Sequence, residues 1–248
     1  MAPDSFPDTF GAVLFQEESR HEAVLSDAGL ARMLSPQSVA FEPFRVLRAK
    51  IKTIGAERPF RCFGLVAATD GEGTTTACLG LAAALSQERE RRVLLLEASL
   101  RSPQFASRLG LEVQPGLHEW LEGPPDAPVP VHVVGPWGFH FLEAGSPAPS
   151  PAELLGSERM ARLLVAARQH YHAIVVDCPA LEPWSDSVVL QQRLDGLLLV
   201  VRARRTPRDA IRRALTHVQP GLVQGIVFND RHDVLVGRRR GERRVANT

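Results

Sequence analysis

Lysine is almost missing from this chain. Of its 29 basic residues only Lys50 and Lys52 are lysines, so a site anywhere else must work without a lysine point charge. Tyrosine is scarcer still, with Tyr171 alone. It stands just before an apolar run, where packing is the expected role rather than phosphate acceptance. The three cysteines, Cys62, Cys78 and Cys178, match no metal-ligand spacing and fall in or beside expected buried elements. They read as buried thiols of a reducing compartment rather than a disulfide framework. No apolar run reaches the ~20 residues that a membrane-spanning helix needs. The opening MAPDSFPDTF lacks the charged-then-apolar layout of a signal peptide, and a cytoplasmic location is the expectation.

What is present is an ordinary apolar content and a near-neutral charge that is unevenly spread. Residues 1–33 hold six acids and two arginines, and residues 231–248 hold six arginines and two acids. A chain of 248 residues suits one α/β domain with flexible ends. The expected division is a flexible acidic arm over 1–35, a folded domain over 36–230 and a basic flexible tail over 231–248. A solvated tail is the first reading of the arginine-rich end. Contact with an anionic membrane surface is the alternative, and nucleic acid is not an expected partner.

Apolar strands alternate with helical patterns. Arg61–Ala68, Val93–Leu96, Phe139–Glu143, Ala173–Asp177, Gly196–Val201 and Leu222–Phe228 read as strands, with another near Val131. Helices are expected over 40–54, from Thr74 to about Ser86, over 152–170, over 186–193 and over 208–218. This alternation predicts an α/β fold with a mainly parallel sheet and helices on both faces. On the first of these helices Phe44, Leu47, Ile51 and Ile54 make one apolar face, and Glu42, Arg45 and Arg48 line a second. Spacing alone makes that second line a solvated charged face.

The stretch LVAATDGEGTTTACLGLAAAL, residues 65–85, organises the rest. A buried strand runs into a loop, Thr69-Asp70-Gly71-Glu72-Gly73, and Thr74-Thr75-Thr76 opens an alanine-rich helix. This is the layout in which loop N–H groups and a helix N-terminus cradle phosphate. The usual pattern places a lysine directly before the metal-binding Ser/Thr, and here that position is Thr74. Asp177 and Glu97 both end apolar strands. Each suits either the strand-end acid that holds a metal, with Thr75 supplying the hydroxyl, or a helix cap or solvated strand end.

The motifs in this order resemble the P-loop ATPase domain of bacterial tyrosine kinases, which work with polysaccharide co-polymerases in capsule and exopolysaccharide export. Gly71-Glu72-Gly73-x-Thr75-Thr76 resembles the family's G-E-G-K-[ST]-T. LLLEASLRSP (94–103) resembles its second Walker motif, and GSPAPSPAELL (145–155) resembles a proline-rich loop before E-L-L. Ile174–Pro179 resembles the strand before D-x-P-P, and DGLLLVVR (195–202) with Thr206 the downstream strand. The resemblance implies a three-layer P-loop NTPase fold, with ATP or ADP and Mg²⁺ as cofactors. Gly71, Glu72, Gly73, Thr74, Thr75, Thr76 and Arg101 would form the nucleotide site, and Thr75 and Asp177 the metal site. Asp177 and Glu97 would be the catalytic acids. Arg101 is open to phosphate contact or to packing. The motif Glu42-x-x-Arg45-x-x-Arg48 implies a homo- or hetero-oligomer interface. An inner-membrane co-polymerase-type partner and a peripheral place at that membrane follow from the same resemblance.

The departures point one way. Thr74 replaces the P-loop lysine, Glu97 and Ser99 replace two aspartates, Ala180 replaces the last proline of D-x-P-P, and the tyrosine tail is missing. The expectation is a degenerate, kinase-like protein that binds nucleotide weakly or not at all and acts as a partner or regulator. The alternatives are an active ATPase or tyrosine kinase completed by a partner subunit, or a positioning or partitioning ATPase. The last would carry a further lysine early in the loop, where Thr69 stands.

Overall fold

The computed structural model describes residues 15–22, 25, 28–88 and 91–230, with only the backbone of 16–22. The tail expected over 231–248 lies outside the described residues. Among the described residues eight strands form one sheet: β1 (Phe15–Glu22), β2 (Cys62–Ala67), β3 (Val93–Glu97), β4 (Val129–Gly135), β5 (Phe139–Leu142), β6 (Ala173–Asp177), β7 (Gly196–Arg202) and β8 (Val223–Asn229). Their order is β1-β4-β5-β3-β6-β2-β7-β8. All neighbours pair in parallel except β4 with β5, which form an antiparallel pair.

The central strands are apolar on both faces, as burial between two helical layers requires. Cys62, Val66, Leu94, Leu96, Ile174 and Val176 belong to one core. That core is completed by Met160, Leu163, Leu164 and Ala167 of α7 (Glu158–His170). The alternate residues Phe63, Leu65, Leu95 and Val175 belong to the other. Against them lies α3 (Thr74–Leu85), buried from Ala77 to Leu85. Outside α3 lies α2 (Glu42–Glu57), with Pro43 in its first turn. Gly80 makes this layering possible: a Cβ there would come within 2.3 Å of the Phe44 ring. The three-layer fold is the one the sequence predicts.

Three expectations change. The arm expected to be flexible contains β1 and a short helix, α1 (Ala28–Leu34), with Leu30 and Leu34 buried. The sequence FQEESRHE has no apolar alternation. Its strand rests on backbone pairing to the edge of β4, from Phe15↔Val129 to Glu22↔Gly135, with a shift of register between Glu17 and Ser19. Phe15 anchors its start, edge-on to His170 and Tyr171. The long helix expected over 152–170 is two, α6 (Pro151–Gly156) and α7. Between them Ser157 takes extended φ/ψ and its hydroxyl accepts from the Met160 N–H, a helix N-cap. Short helices α4 (Phe105–Leu109) and α5 (Leu117–Glu122) fill the crossover after β3. The helix expected over 186–193 is α8 (Asp186–Leu190) and a 3₁₀ turn. The last helix, α9 (Arg208–Leu215), joins β7 to β8.

Candidate nucleotide site

The strand order brings the three candidate segments together. β6 lies between β2 and β3, so Asp177 pairs in register with Leu65 on one side and with Glu97 on the other. The phosphate-type loop leaves β2 and enters α3 beside the end of β6. Gly71 and Gly73 have φ of 80° and 89°, the left-handed region that glycine enters without strain. At Gly73 a Cβ would also lie 2.0 Å from the Asn229 amide nitrogen. Gly73 is the N-cap of α3, and no side chain caps that helix. Its first-turn N–H groups, with the positive end of the helix dipole, therefore suit an anion. Thr74, Thr75 and Thr76 are half-buried in that turn.

Thr75 and Asp177 meet: the Thr75 hydroxyl donates to Asp177 Oδ2 at 3.1 Å. The Cys78 thiol, one turn on, reaches Asp177 Oδ1 at 3.6 Å. Asp177 is buried. Burial, with the nearby charge of Glu97, pushes its carboxyl up to about 7 against the opposing pull of the Thr75 and Cys78 hydrogen bonds. Burial pushes the Cys78 thiol up as well.

Glu97 is held otherwise. Its Oε1 accepts from the backbone N–H groups of Gln104 at 2.6 Å and Phe105 at 3.0 Å, and its Oε2 from Ala144 N–H at 3.1 Å. The carboxylate thus caps α4 and pins the end of β5. Burial raises its pKa, and the three N–H groups oppose the rise.

Arg101 is likewise committed away from the loop. Its Nε and Nη2 both bind the buried Asp186 carboxylate at 3.2 Å, and its guanidinium lies 4.0 Å from the Trp184 ring centroid. Of the two roles open to it, packing is the one this geometry displays.

Glu72 also departs from expectation. Its side chain turns inward, where Oε1 accepts from the Thr69 hydroxyl and Oε2 from Arg202 N–H at 2.9 Å and from the Thr206 hydroxyl. The Asn229 amide donates to the Glu72 carbonyl at 2.8 Å. Glu72 is a strut that ties the loop to the ends of β7 and β8. Thr206 is marked in the sequence only as part of the downstream motif, and the one signal of Asn229 is its place at the end of β8. The Arg202 guanidinium stands beside the loop, held by Asp230 at 2.9 Å.

The residues present fit half of a Mg²⁺-nucleotide. The backbone of residues 71–76 fits phosphate, and Thr75 with Asp177 fits the metal. The position of the phosphate-binding cation is filled by the neutral Thr74.

Away from the site, Arg45 pairs with Glu42 at 2.9 Å, and Arg48 donates to the Ala84 carbonyl at 2.7 Å at the end of α3. Tyr171 is buried, its hydroxyl 3.2 Å from His140 Nδ1. Among the described residues no helix is long and apolar enough to cross a membrane.

No protein-family model matches the chain. The chain is 29% identical over 189 residues to the tyrosine-protein kinase Etk of Escherichia coli K12, covering 76% of this chain and 26% of that protein. It is 29% identical over 227 residues to the succinoglycan biosynthesis transport protein ExoP of Rhizobium meliloti, covering 87% of this chain and 29% of that one. The chain thus spans between a quarter and a third of these relatives' length. Among solved structures, the VpsO kinase domain superposes with a TM-score of 0.68 at 30% identity, over 75% of this chain and 93% of that domain.

Proposed function

The chain belongs to the family of bacterial tyrosine-kinase P-loop domains, and from that premise we propose that it serves polysaccharide biosynthesis and export as a nucleotide-binding or pseudo-kinase partner rather than as a catalyst. The observation that carries this reading is Thr74. It opens a helix whose backbone is laid out for phosphate, where a lysine would supply charge to the β- and γ-phosphates. Losing one preorganised group of that kind costs ~10²–10³ in rate, or about 3–4 kcal/mol. A threonine hydroxyl returns a hydrogen bond worth about 1 kcal/mol. Glu97, spent on three backbone N–H groups, does not make good the loss. Phosphate affinity of the loop backbone does not depend on the lysine and is retained.

On this reading the partner is a co-polymerase-type inner-membrane protein, and the Glu42–Arg45 face of α2 is the assembly surface. Calorimetric titration of the purified chain with ADP or ATP plus Mg²⁺, beside an ATPase assay, tests it. Weak binding without turnover is expected. Robust Mg²⁺-dependent hydrolysis abolished by Asp177→Ala would overturn it.

The Thr75–Asp177 contact supports a second reading, an active kinase whose missing cation comes from the partner subunit. It requires phosphotyrosine on a partner that appears with this chain and disappears with Asp177→Ala.

A further inference from the structure

The turn after β7 and helix α9 concentrate one sign of charge. From Arg202 to Arg213 there are six arginines and a single acid, Asp209, in a chain whose net charge is +1. Arg202 is held by Asp230, and Arg213 leans on Glu182 at 3.6 Å. Arg204, Arg205, Arg208 and Arg212 are exposed. The acid nearest Arg212 is Asp209 at 3.9 Å, and both side chains stand in water, where such a pair holds little. Ala210 and Ala214 are buried and Ile211 packs on the core, so they fix the inward side of α9. Arg208, Arg212 and Leu215, at i, i+4 and i+7, therefore share the outward side, and Leu215 is 38% exposed. Beside the helix, Trp184 is 48% exposed and lines a cavity of about 500 Å³ together with Glu182 and His217. Phe44 and Leu47 of α2 pack on the core of Phe63 and Leu65, whereas Ile211 and Ala214 of α9 belong to the core of Cys62 and Val66. The α9 face and the Glu42–Arg45 face thus lie on opposite sides of the sheet.

We propose that α9 is a docking face for an anionic membrane surface, with Arg205, Arg208 and Arg212 over the headgroups and Leu215 and Trp184 at the interface. A helix that bears clustered arginines suits a leaflet of negative potential. The apolar groups within and beside the row favour a bilayer over the other large polyanion, a nucleic acid. A bilayer interface accommodates leucine and tryptophan, while a phosphate backbone engages only the arginines. Docking there leaves the α2 face open to protein neighbours.

Partition of the full chain onto vesicles tests this, with phosphatidylcholine alone set against phosphatidylcholine mixed with phosphatidylglycerol. Binding to the mixed vesicles is expected, with release on going from ~0.15 M to ~1 M salt as the screening length shortens from ~8 Å to ~3 Å. Each arginine at a leaflet contributes about fivefold to partition, so Arg205→Gln with Arg208→Gln and Arg212→Gln is expected to weaken binding on the order of 100-fold. The three side chains are exposed, and an unchanged melting temperature is expected to show that the fold is intact. The same three positions changed to lysine are expected to bind within about threefold of the wild type, since a leaflet reads charge rather than a guanidinium fork. Trp120 and Trp137 are tied to the carbonyls of Ala127 and Leu34. A shift of tryptophan emission to shorter wavelength on mixed vesicles is therefore expected from Trp184, and its loss in Trp184→Phe. Equal binding to neutral vesicles, a glutamine variant that binds as the wild type does, or an unshifted emission would overturn the proposal. So would tighter binding of duplex DNA than of mixed vesicles at equal phosphate.

Discussion

Burial pushes the Asp177 carboxyl up to about 7, and the neighbouring Glu97 charge works in the same direction. The folded state therefore holds a proton that the unfolded state releases near 3.8. The stability this group contributes is complete below that lower value, falls as pH rises through about 7, and is constant above. Asp177→Asn cannot ionise. It is expected to flatten that slope and to exceed the wild type above neutral pH by on the order of 1–4 kcal/mol. Melting temperatures across this pH range provide the check. Thr74 yields a complementary expectation. Thr74→Lys restores a charge-assisted contact worth about 1.5–3 kcal/mol, so calorimetry should find ADP binding roughly 10- to 100-fold tighter.

Glu97 acts at the scale of elements, because its two oxygens join the end of β3 to the start of α4 and the end of β5. Glu97→Gln keeps the shape but turns one acceptor into a donor facing an N–H group. A loss of about 1–3 kcal/mol is expected, measured as the midpoint of urea unfolding with unchanged slope. The elements show what a sequence can disclose. β2, β3, β6 and β7 were legible because burial on both faces makes unbroken apolar runs, and the loop between β2 and α3 because its glycines and threonines have fixed spacing. β1 was hidden, since its pairing is backbone to backbone and its side chains carry no pattern. The break between α6 and α7 had a signal in Gly156-Ser157, a stop followed by a cap, inside a run whose helical period continues across it. The inward turn of Glu72 and the hold of Asp186 on Arg101 depend on partners 130 and 85 residues away, which spacing cannot express.

For the whole molecule, the proposed assembly face sets a test that separates association from folding. Glu42 and Arg45 pair with each other at the surface, and an exposed pair of this kind contributes less than about 1 kcal/mol to folding. Arg45 also donates to the Pro36 carbonyl and lies over the Phe41 ring, so Glu42→Ala alone is the suitable variant, expected to keep its unfolding midpoint and to lose its oligomer in light scattering. Arg48 is unsuited to this test, since its bond to the Ala84 carbonyl belongs to the fold. That bond and the seat of Phe44 on Gly80 have a mechanical consequence. They fasten α2 to the shaft of α3, and the first turn of that shaft is the floor of the phosphate loop.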